Sequence, residues 1–130
     1  MGCQPDKATQ SRYARRMSID RIMPTLQVDL FGGRGEVRVW NLLSGAAGPF
    51  QAVLSCALAP GASVGRHVQE EFAELVIGVE GDGETTVDGE SHALQPGDVV
   101  YLPLGSVLSI QNRSSEAPLC YLIVKAMTAP

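Results

Sequence analysis

The sequence predicts an all-β domain, a sandwich or barrel of antiparallel strands preceded by a short N-terminal arm. After residue 34, apolar and polar residues alternate over short segments rich in β-branched and aromatic side chains, which is the pattern of half-buried strands. Turn-forming Gly, Pro, Asn and Asp separate these segments at intervals of about 8 to 12 residues, as in sandwiches and barrels. No segment there has the unbroken helical period that a βαβ unit requires.

The chain divides into an arm, residues 1–33, and a barrel, residues 34–130. Five of the ten basic residues fall within the first 21 positions, and the apolar positions there are too sparse to predict an element. A polar terminus of this kind is typically mobile. The alternatives are a short helix over "RYARRMSIDRIM" and a segment that wraps or docks on a partner.

About eight strands are expected in the barrel, separated by turns such as "SGAAGP", "GDGE" and "QPGD". In chain order the segments are GEVRVWNLL, FQAVLSCAL, ELVIGVE, TTV, SHAL, VVYLPL, SVLSIQN and LCYLIVKA. The dipeptide Asp88-Gly89 is typical of a two-residue hairpin turn, and Pro103 fits the end of a strand because it has no N–H to donate.

Length, composition and the N-terminal residues indicate the cellular location of the protein. The 130 residues suffice for one core, and no apolar run approaches the roughly 20 residues of a membrane span. The first residues lack the apolar segment of a secretory signal, so we expect a cytoplasmic protein with no membrane partner. Three widely spaced cysteines predict reduced thiols, with Cys56 and Cys120 as small hydrophobes inside strands.

Charge excludes one class of partner. The net charge is -4, and the stretch from residue 70 to residue 98 carries nine acids and neither Lys nor Arg. A domain with this balance has no basic face for a phosphate backbone, and it contains no recognisable nucleic-acid module. We therefore expect no nucleic-acid partner.

Two motifs stand out in the barrel. From Gly61 to Gly81 the chain reads G-x5-H-x-Q-x4-E-x6-G, and from Gly97 to Asn112 it reads G-x5-P-x-G-x2-L-x3-N. Their spacing, glycines, proline and asparagine resemble the two motifs of the cupin superfamily, over roughly the last 95 residues. The resemblance implies a double-stranded β-helix, a jelly-roll barrel of two antiparallel sheets that most often pairs as a homodimer.

In metal-binding cupins four motif positions supply ligands, and here they fall on His67, Gln69, Glu74 and Leu108. His67 and Gln69 are two apart on an extended segment and so leave the same face. Leu108 has no lone pair, and the neutral carbonyl oxygen of Gln69 is a weaker ligand than imidazole. We expect no firmly held cofactor; the alternative is a weak divalent metal at His67, Gln69 and Glu74. His92, near a turn on a polar strand, is expected at the solvent or a strand edge.

Without a metal, His67 and Glu74 remain as a candidate catalytic pair. A carboxylate close to an imidazole favours the charged ring while burial opposes it, and this balance suits a general acid or base. The leading hypothesis is a small-molecule isomerase, dehydratase or lyase in which Glu74 orients His67. The second is a non-catalytic domain that binds or senses a small molecule, with the pair structural, and the third is a metal-dependent dioxygenase.

The expected partner is a small organic ligand held in the barrel mouth. Gln69 is assigned to a hydrogen bond with the substrate and Leu108 to an apolar wall. Tyr101 is also assigned to substrate binding, with core packing as its alternative role, because the sequence does not fix which face of its strand points inward. Arg66, next to His67, is expected at the surface.

Overall fold

The computed structural model describes residues 14 and 16–128, which form ten β-strands and two short 3-10 turns. The turns are Ile19–Arg21 and Leu30–Gly32. The strands are β1 Thr25–Val28, β2 Glu36–Asn41, β3 Phe50–Leu58, β4 Ser63–Val68, β5 Ala73–Glu80, β6 Gly83–Val87, β7 Glu90–Leu94, β8 Val99–Leu102, β9 Val107–Asn112 and β10 Leu119–Ala126. In this part of the chain no helix has the length and apolar character needed to cross a bilayer.

The strands form two antiparallel sheets that face each other. The larger has the order β1-β2-β3-β10-β5-β8 and the smaller the order β4-β9-β6-β7. The predicted all-β jelly-roll barrel, the double-stranded β-helix, is therefore confirmed. The predicted turn at Asp88-Gly89 joins β6 to β7 with both residues at positive φ, 50° and 82°, as a type I′ hairpin requires.

The core lies between the two sheets and comes from alternate residues of each strand. On β8, Val100 and Leu102 point inward and are buried, while Val99 and Tyr101 point outward and are exposed. The buried apolar set is Val37, Cys56, Leu58, Ala62, Val64, Val76, Leu94, Val100, Leu102, Leu108, Ile110, Leu119 and Tyr121. Burying these side chains from both sheets is what holds the sandwich together.

Part of the stretch assigned to the arm belongs to the sheet. Residues 25–28 form β1, which pairs antiparallel with β2 from Thr25↔Val39 to Val28↔Glu36. The sequence Thr-Leu-Gln-Val alternates polar and apolar residues, but all four are exposed, so neither set is buried in the core. Residues 1–13 and 15 of the arm lie outside the described residues. The short helix was proposed for residues 12–23, of which residues 14 and 16–23 are described, and these contain the 3-10 turn Ile19–Arg21.

The asparagine of the second motif has a structural role in the closing turn of the barrel. Asn112 is buried, and its Nδ2 lies 3.1 Å from the carbonyl oxygens of Leu58 and Ala59 and 2.9 Å from that of Ala117. Its Oδ1 accepts a hydrogen bond from the Ser114 backbone N–H at 2.9 Å. One side chain thus joins β9 to the end of β3 and to the loop before β10.

We expect Asn112→Ala to lower the free energy of unfolding by about 2–4 kcal/mol, because it leaves buried carbonyl groups without a donor. Urea denaturation followed by circular dichroism measures the change. Gln111→Ala, an exposed neighbour on the same strand, is the control and should have little effect. Equal losses in the two variants would show that the Asn112 bonds do not stabilise the fold.

Candidate functional site

A cavity of about 550 Å³ opens at one end of the barrel, between the inner faces of the two sheets. Both sheets contribute polar and apolar side chains to it. The polar lining residues include His67, Gln69, Glu74 and Lys125, and the apolar ones include Leu54, Val64, Leu108, Ile110 and Ile123. The rim is formed by β1, by the turn at Phe31 and by residues 68–72. A concave, mostly apolar cavity with a few convergent polar groups is the usual form of a small-molecule site.

A β-bulge brings His67 into this cavity. On β4, Val64 pairs with Ile110 and His67 pairs with Leu108. From one pair to the next, β4 advances three positions while β9 advances only two. The extra residue changes the phase of the strand, and Val64 and His67 both point inward as a result. Arg66 stays on the outside and is exposed, as the sequence predicts.

The polar side chains of the first motif form one connected row. His67 Nδ1 donates to the Gly65 carbonyl oxygen at 3.1 Å, and His67 Nε2 lies 3.0 Å from the Gln69 amide. With the amide nitrogen towards Glu74, Gln69 donates to Glu74 Oε1 at 2.9 Å and Oε2 at 3.2 Å, and its oxygen accepts from His67 Nε2. In this orientation the Gln69 amide nitrogen faces acceptors, whereas the reverse orientation turns its oxygen towards the Glu74 carboxyl oxygens.

Glu74 is a buried carboxyl that forms an ion pair with Lys125. It is 4% exposed, and Lys125, its pairing partner on β10, places Nζ 3.4 Å from Oε1. Burial raises the pKa of Glu74 above its ordinary value, and Lys125 first and then His67 oppose that shift. The net direction is upward, so Glu74 holds a proton more tightly than a carboxyl in water.

Two neutral groups complete the inner wall of the cavity. Cys56 and Tyr121 are pairing partners on β3 and β10, both are buried, and their side chains share a hydrogen bond. Burial raises the pKa of the Cys56 thiol to about 12 and that of Tyr121 well above its usual value. At neutral pH the thiol is therefore not a nucleophile, and the phenol is a neutral hydrogen-bonding group.

Four of the five predicted site residues come together at the cavity: His67, Gln69, Glu74 and Leu108. Tyr101 does not, since it is 62% exposed on the outer face of β8 and lies outside the lining. Tyr121, the tyrosine of β10, lines the cavity instead. His92 is outside the cavity, on β7.

Sequence reasoning missed two residues of the site, Lys125 and Phe31. For Lys125 a signal existed, because it follows Tyr121 and Ile123 at period two on β10 and shares their inward face. A lysine on the inward face of an otherwise apolar strand implies a buried partner. Phe31 stacks on His67 with ring centroids 4.0 Å apart, but it lies in the stretch assigned to the arm and no pattern marks it.

The donor set does not fit a firmly held transition metal. Within the described part of the chain, no three or more His, Cys, Asp and Glu side chains are grouped so as to hold an ion. Leu108 stands directly opposite His67 in the β4–β9 pairing and contributes no lone pair. The ammonium of Lys125 already balances the charge of Glu74 and would repel a second cation beside it.

The raised pKa of Glu74 predicts how stability depends on pH. The folded protein binds this proton more tightly than the unfolded chain, so its contribution is complete below pH 4.5, the ordinary value, and is lost as the pH rises through the raised value. Glu74→Gln keeps the shape and removes the titration. We expect this variant to melt at a higher temperature than the parent at pH 7 and at the same temperature near pH 4.

Calorimetry at the two pH values checks this, with Glu90→Gln, an exposed acid on β7, as the control for loss of a charge. A Glu74→Gln variant that is less stable than the parent at pH 7 but equal to it at pH 4 would mean that the folded state favours the carboxylate, against this expectation.

Comparison with known proteins identifies the relatives of the chain. Residues 54–125 match the family model described as "Cupin domain". An "Oxalate-binding protein" of Thermotoga maritima is 34% identical over 93 residues, which are 70% of this chain and 77% of that protein.

Solved structures share the barrel. A Thermotoga maritima protein described as a predicted oxalate decarboxylase superposes with a TM-score of 0.81 at 28% identity, covering 88% of this chain and 100% of the other. A sugar phosphate isomerase of the cupin superfamily from Silicibacter pomeroyi gives a TM-score of 0.71 at 26% identity, covering 88% and 76%. The predicted resemblance is therefore confirmed, and the chain belongs to the cupin family.

Proposed function

We propose that this cupin binds a small organic molecule in the barrel cavity and catalyses a metal-independent proton transfer of the isomerase, dehydratase or lyase type. The observation that carries the proposal is Glu74, a buried carboxyl that faces the cavity and whose pKa is raised. A carboxyl of this kind, next to a cation in a cleft, has the properties of a general acid or base. The proposal includes no step through a bound metal.

In this proposal His67 and Glu74 exchange the roles predicted from the sequence, in which Glu74 orients His67. Both ring nitrogens of His67 are engaged within the protein, one by the Gly65 carbonyl oxygen and one by Gln69. Glu74 is the group that exchanges the proton, and His67 and Gln69 hold it in place. Gln69, bonded at both ends, acts on the ligand only through these neighbours.

The reaction needs four groups of this chain. Glu74 takes a proton from the hydroxyl-bearing carbon next to a carbonyl and returns it to the former carbonyl carbon, while the hydroxyl proton passes to the former carbonyl oxygen, so that protons and electrons balance. Lys125, 3.4 Å from Glu74, donates to the carbonyl oxygen as negative charge develops there. The neutral phenol of Tyr121 supplies a further donor, and Leu108, the cross-strand neighbour of His67, excludes water.

The charge of the cavity favours a ligand without net negative charge. Glu70, Glu71 and Glu74 line it, against the single ammonium of Lys125. A neutral hydroxy-carbonyl compound fits this balance, with its carbon skeleton against the apolar side chains of the lining. Two relatives, one named as an oxalate-binding protein and the other as a sugar phosphate isomerase, support a small-molecule ligand but not its charge, because both names refer to anions.

A second candidate is a non-catalytic domain that binds or senses a small molecule. One observation favours it: among the described residues, no buried side-chain nitrogen or oxygen lacks a hydrogen-bond partner, so the polar row is complete without a ligand. A metal-dependent dioxygenase requires ligands that the donor set does not supply, and we do not propose it.

The expected homodimer stays a prediction, which light scattering on the purified protein tests. Its support is the outer face of the larger sheet, where Leu75 and Val79 on β5 and Val99 and Tyr101 on β8 form an exposed apolar patch. A cytoplasmic location and the lack of a nucleic-acid partner likewise stay predictions from the sequence.

Proton exchange distinguishes the two candidate functions. We expect the protein to accelerate deuterium incorporation into hydroxyacetone and glyceraldehyde in D₂O, measured by NMR, and Glu74→Gln to lose roughly 10²-fold or more of that rate, the usual worth of a general base. Glu90→Gln is the matched control and should retain the full rate. Saturable binding of either compound without exchange supports the second candidate, and neither binding nor exchange contradicts both.

Metal content tests the metal-independent part of the proposal. Protein purified without a polyhistidine tag or chelator should contain well under one transition-metal ion per chain, and added Mn²⁺, Fe²⁺ or Zn²⁺ should leave its Tm unchanged, because the donors do not form a site. His67→Ala is analysed beside it. One ion per chain in the parent that disappears in His67→Ala would overturn the proposal and make Gln69 a true ligand.

A further inference from the structure

The turn that carries Phe31 has an unfavourable backbone. Asp29 and Phe31 both lie in the left-handed region, at φ 52° and 53°, where bulky side chains are rarely found. The core does not require the Phe31 ring, which is 55% exposed and is not part of the buried cluster. Strain at a side chain that the core does not need points to a role elsewhere.

Neighbouring contacts hold this turn in place. The Asp29 backbone N–H donates to the Gly35 carbonyl oxygen at 2.9 Å, and the Gly35 N–H donates to Asp29 Oδ1 at 2.8 Å. On the other side Arg34 and Ser63 exchange backbone hydrogen bonds of 3.0 and 2.7 Å. These bonds close the loop over residues 29–35 and fix it against β4.

Glycine makes the contact between this loop and β4 possible. A Cβ at Gly65 would collide with the Phe31 carbonyl oxygen, and one at Gly33 would collide with the Ser63 carbonyl oxygen. Gly65 also accepts the hydrogen bond from His67 Nδ1. The backbone that receives the loop is therefore the same backbone that orients the imidazole.

The Phe31 ring completes the enclosure of His67. The two rings are stacked, with centroids 4.0 Å apart and planes at 15°. Gly65 holds one edge of the imidazole, Gln69 the other edge, and Phe31 one face. With one face and two edges fixed, the imidazole has a single orientation, the one in which it meets Gln69.

We propose that Phe31 is a positioning residue of the cavity. The strained loop over residues 29–35 holds its ring on one face of His67. The ring keeps the hydrogen bonds of the His67–Gln69–Glu74 row aligned and closes that face to the ligand. The inference deepens the proposed function and rests on it for the identity of the site. The contact itself is a property of the protein without a ligand.

The test uses the reactivity of the two histidines of the chain. Diethyl pyrocarbonate acylates accessible neutral imidazole, and peptide mass spectrometry gives the rate at His67 relative to His92, which lies outside the cavity and is an internal reference. Phe31→Asn removes the ring and places a residue that tolerates the left-handed region. We expect it to leave the Tm unchanged or raised and to increase the His67 to His92 rate ratio about 3- to 10-fold, the ratio that corresponds to the usual worth of one aromatic pair.

Asp29→Asn is the matched control, since it changes the other left-handed residue of the loop and keeps an oxygen to accept from the Gly35 N–H. It should leave the rate ratio at the parent value. An unchanged ratio in Phe31→Asn, an equal rise in Asp29→Asn, or a large fall in Tm with Phe31→Asn would each overturn the inference, because the ring would then be unrelated to His67 or required for the fold.

Deuterium exchange into hydroxyacetone is measured in the same variants. Phe31→Asn should lower kcat, because the hydrogen bonds from His67 through Gln69 to Glu74 are then no longer aligned. Asp29→Asn should leave kcat unchanged. A parent protein with no exchange would contradict the proposed function, while the rate ratio at His67 would still decide the role of Phe31.

Discussion

The site depends on one irregularity in strand pairing, the bulge between Val64 and His67 on β4. In a regular strand Val64 and Arg66 would share the inner face and His67 would point to solvent. The extra residue turns the imidazole inward, opposite Leu108, while the strand keeps its pairing with β9 on both sides. Gly65 lies in the bulge, where the backbone approaches the loop over residues 29–35 too closely for any side chain. A local change in phase thus fixes His67, the contact to Phe31 and the row towards Glu74.

An apolar sandwich accepts this polar row only because every member has a partner. An isolated carboxylate at the depth of Glu74 would be very unfavourable, and Gln69 and Lys125 reduce that cost from two directions. The two contacts differ in kind. Gln69 lies next to Glu74 in the same motif, whereas Lys125 comes from β10, so the charge balance exists only after the larger sheet has formed.

Much of the fold was accessible from the sequence, because alternation and two motifs of fixed spacing report burial and turns directly. The clustering of His67, Gln69, Glu74 and Leu108 followed from the same motifs. Strand β1 was missed although Thr25–Val28 alternates in polarity, because the alternation covers only four residues inside the stretch assigned to the arm. The face of Tyr101 was left open because both residue sets of β8 are apolar, so the pattern does not reveal which set is buried.

The two site residues that the sequence did not reveal, Lys125 and Phe31, depend on long-range contacts. Lys125 is 51 positions after Glu74, and the pairing of β5 with β10 is what brings them together. The stacking of Phe31 on His67 depends on two left-handed residues and two glycines, and none of these has a periodic signature. Such features become visible only when the backbone of distant segments is placed, which is a tertiary property and not a local one.

The nature of the cation beside Glu74 decides what that carboxyl can do. A bound metal ion is a concentrated charge that keeps its carboxylate ligands ionised. Lys125 is a weaker counter-charge, because its side chain is 35% exposed and water screens it. Burial therefore outweighs it, and the pKa of Glu74 stays raised. In the proposed function this difference is the basis of the chemistry. With the ammonium of Lys125 in place of a metal ion, the carboxyl at this motif position can accept and return a proton.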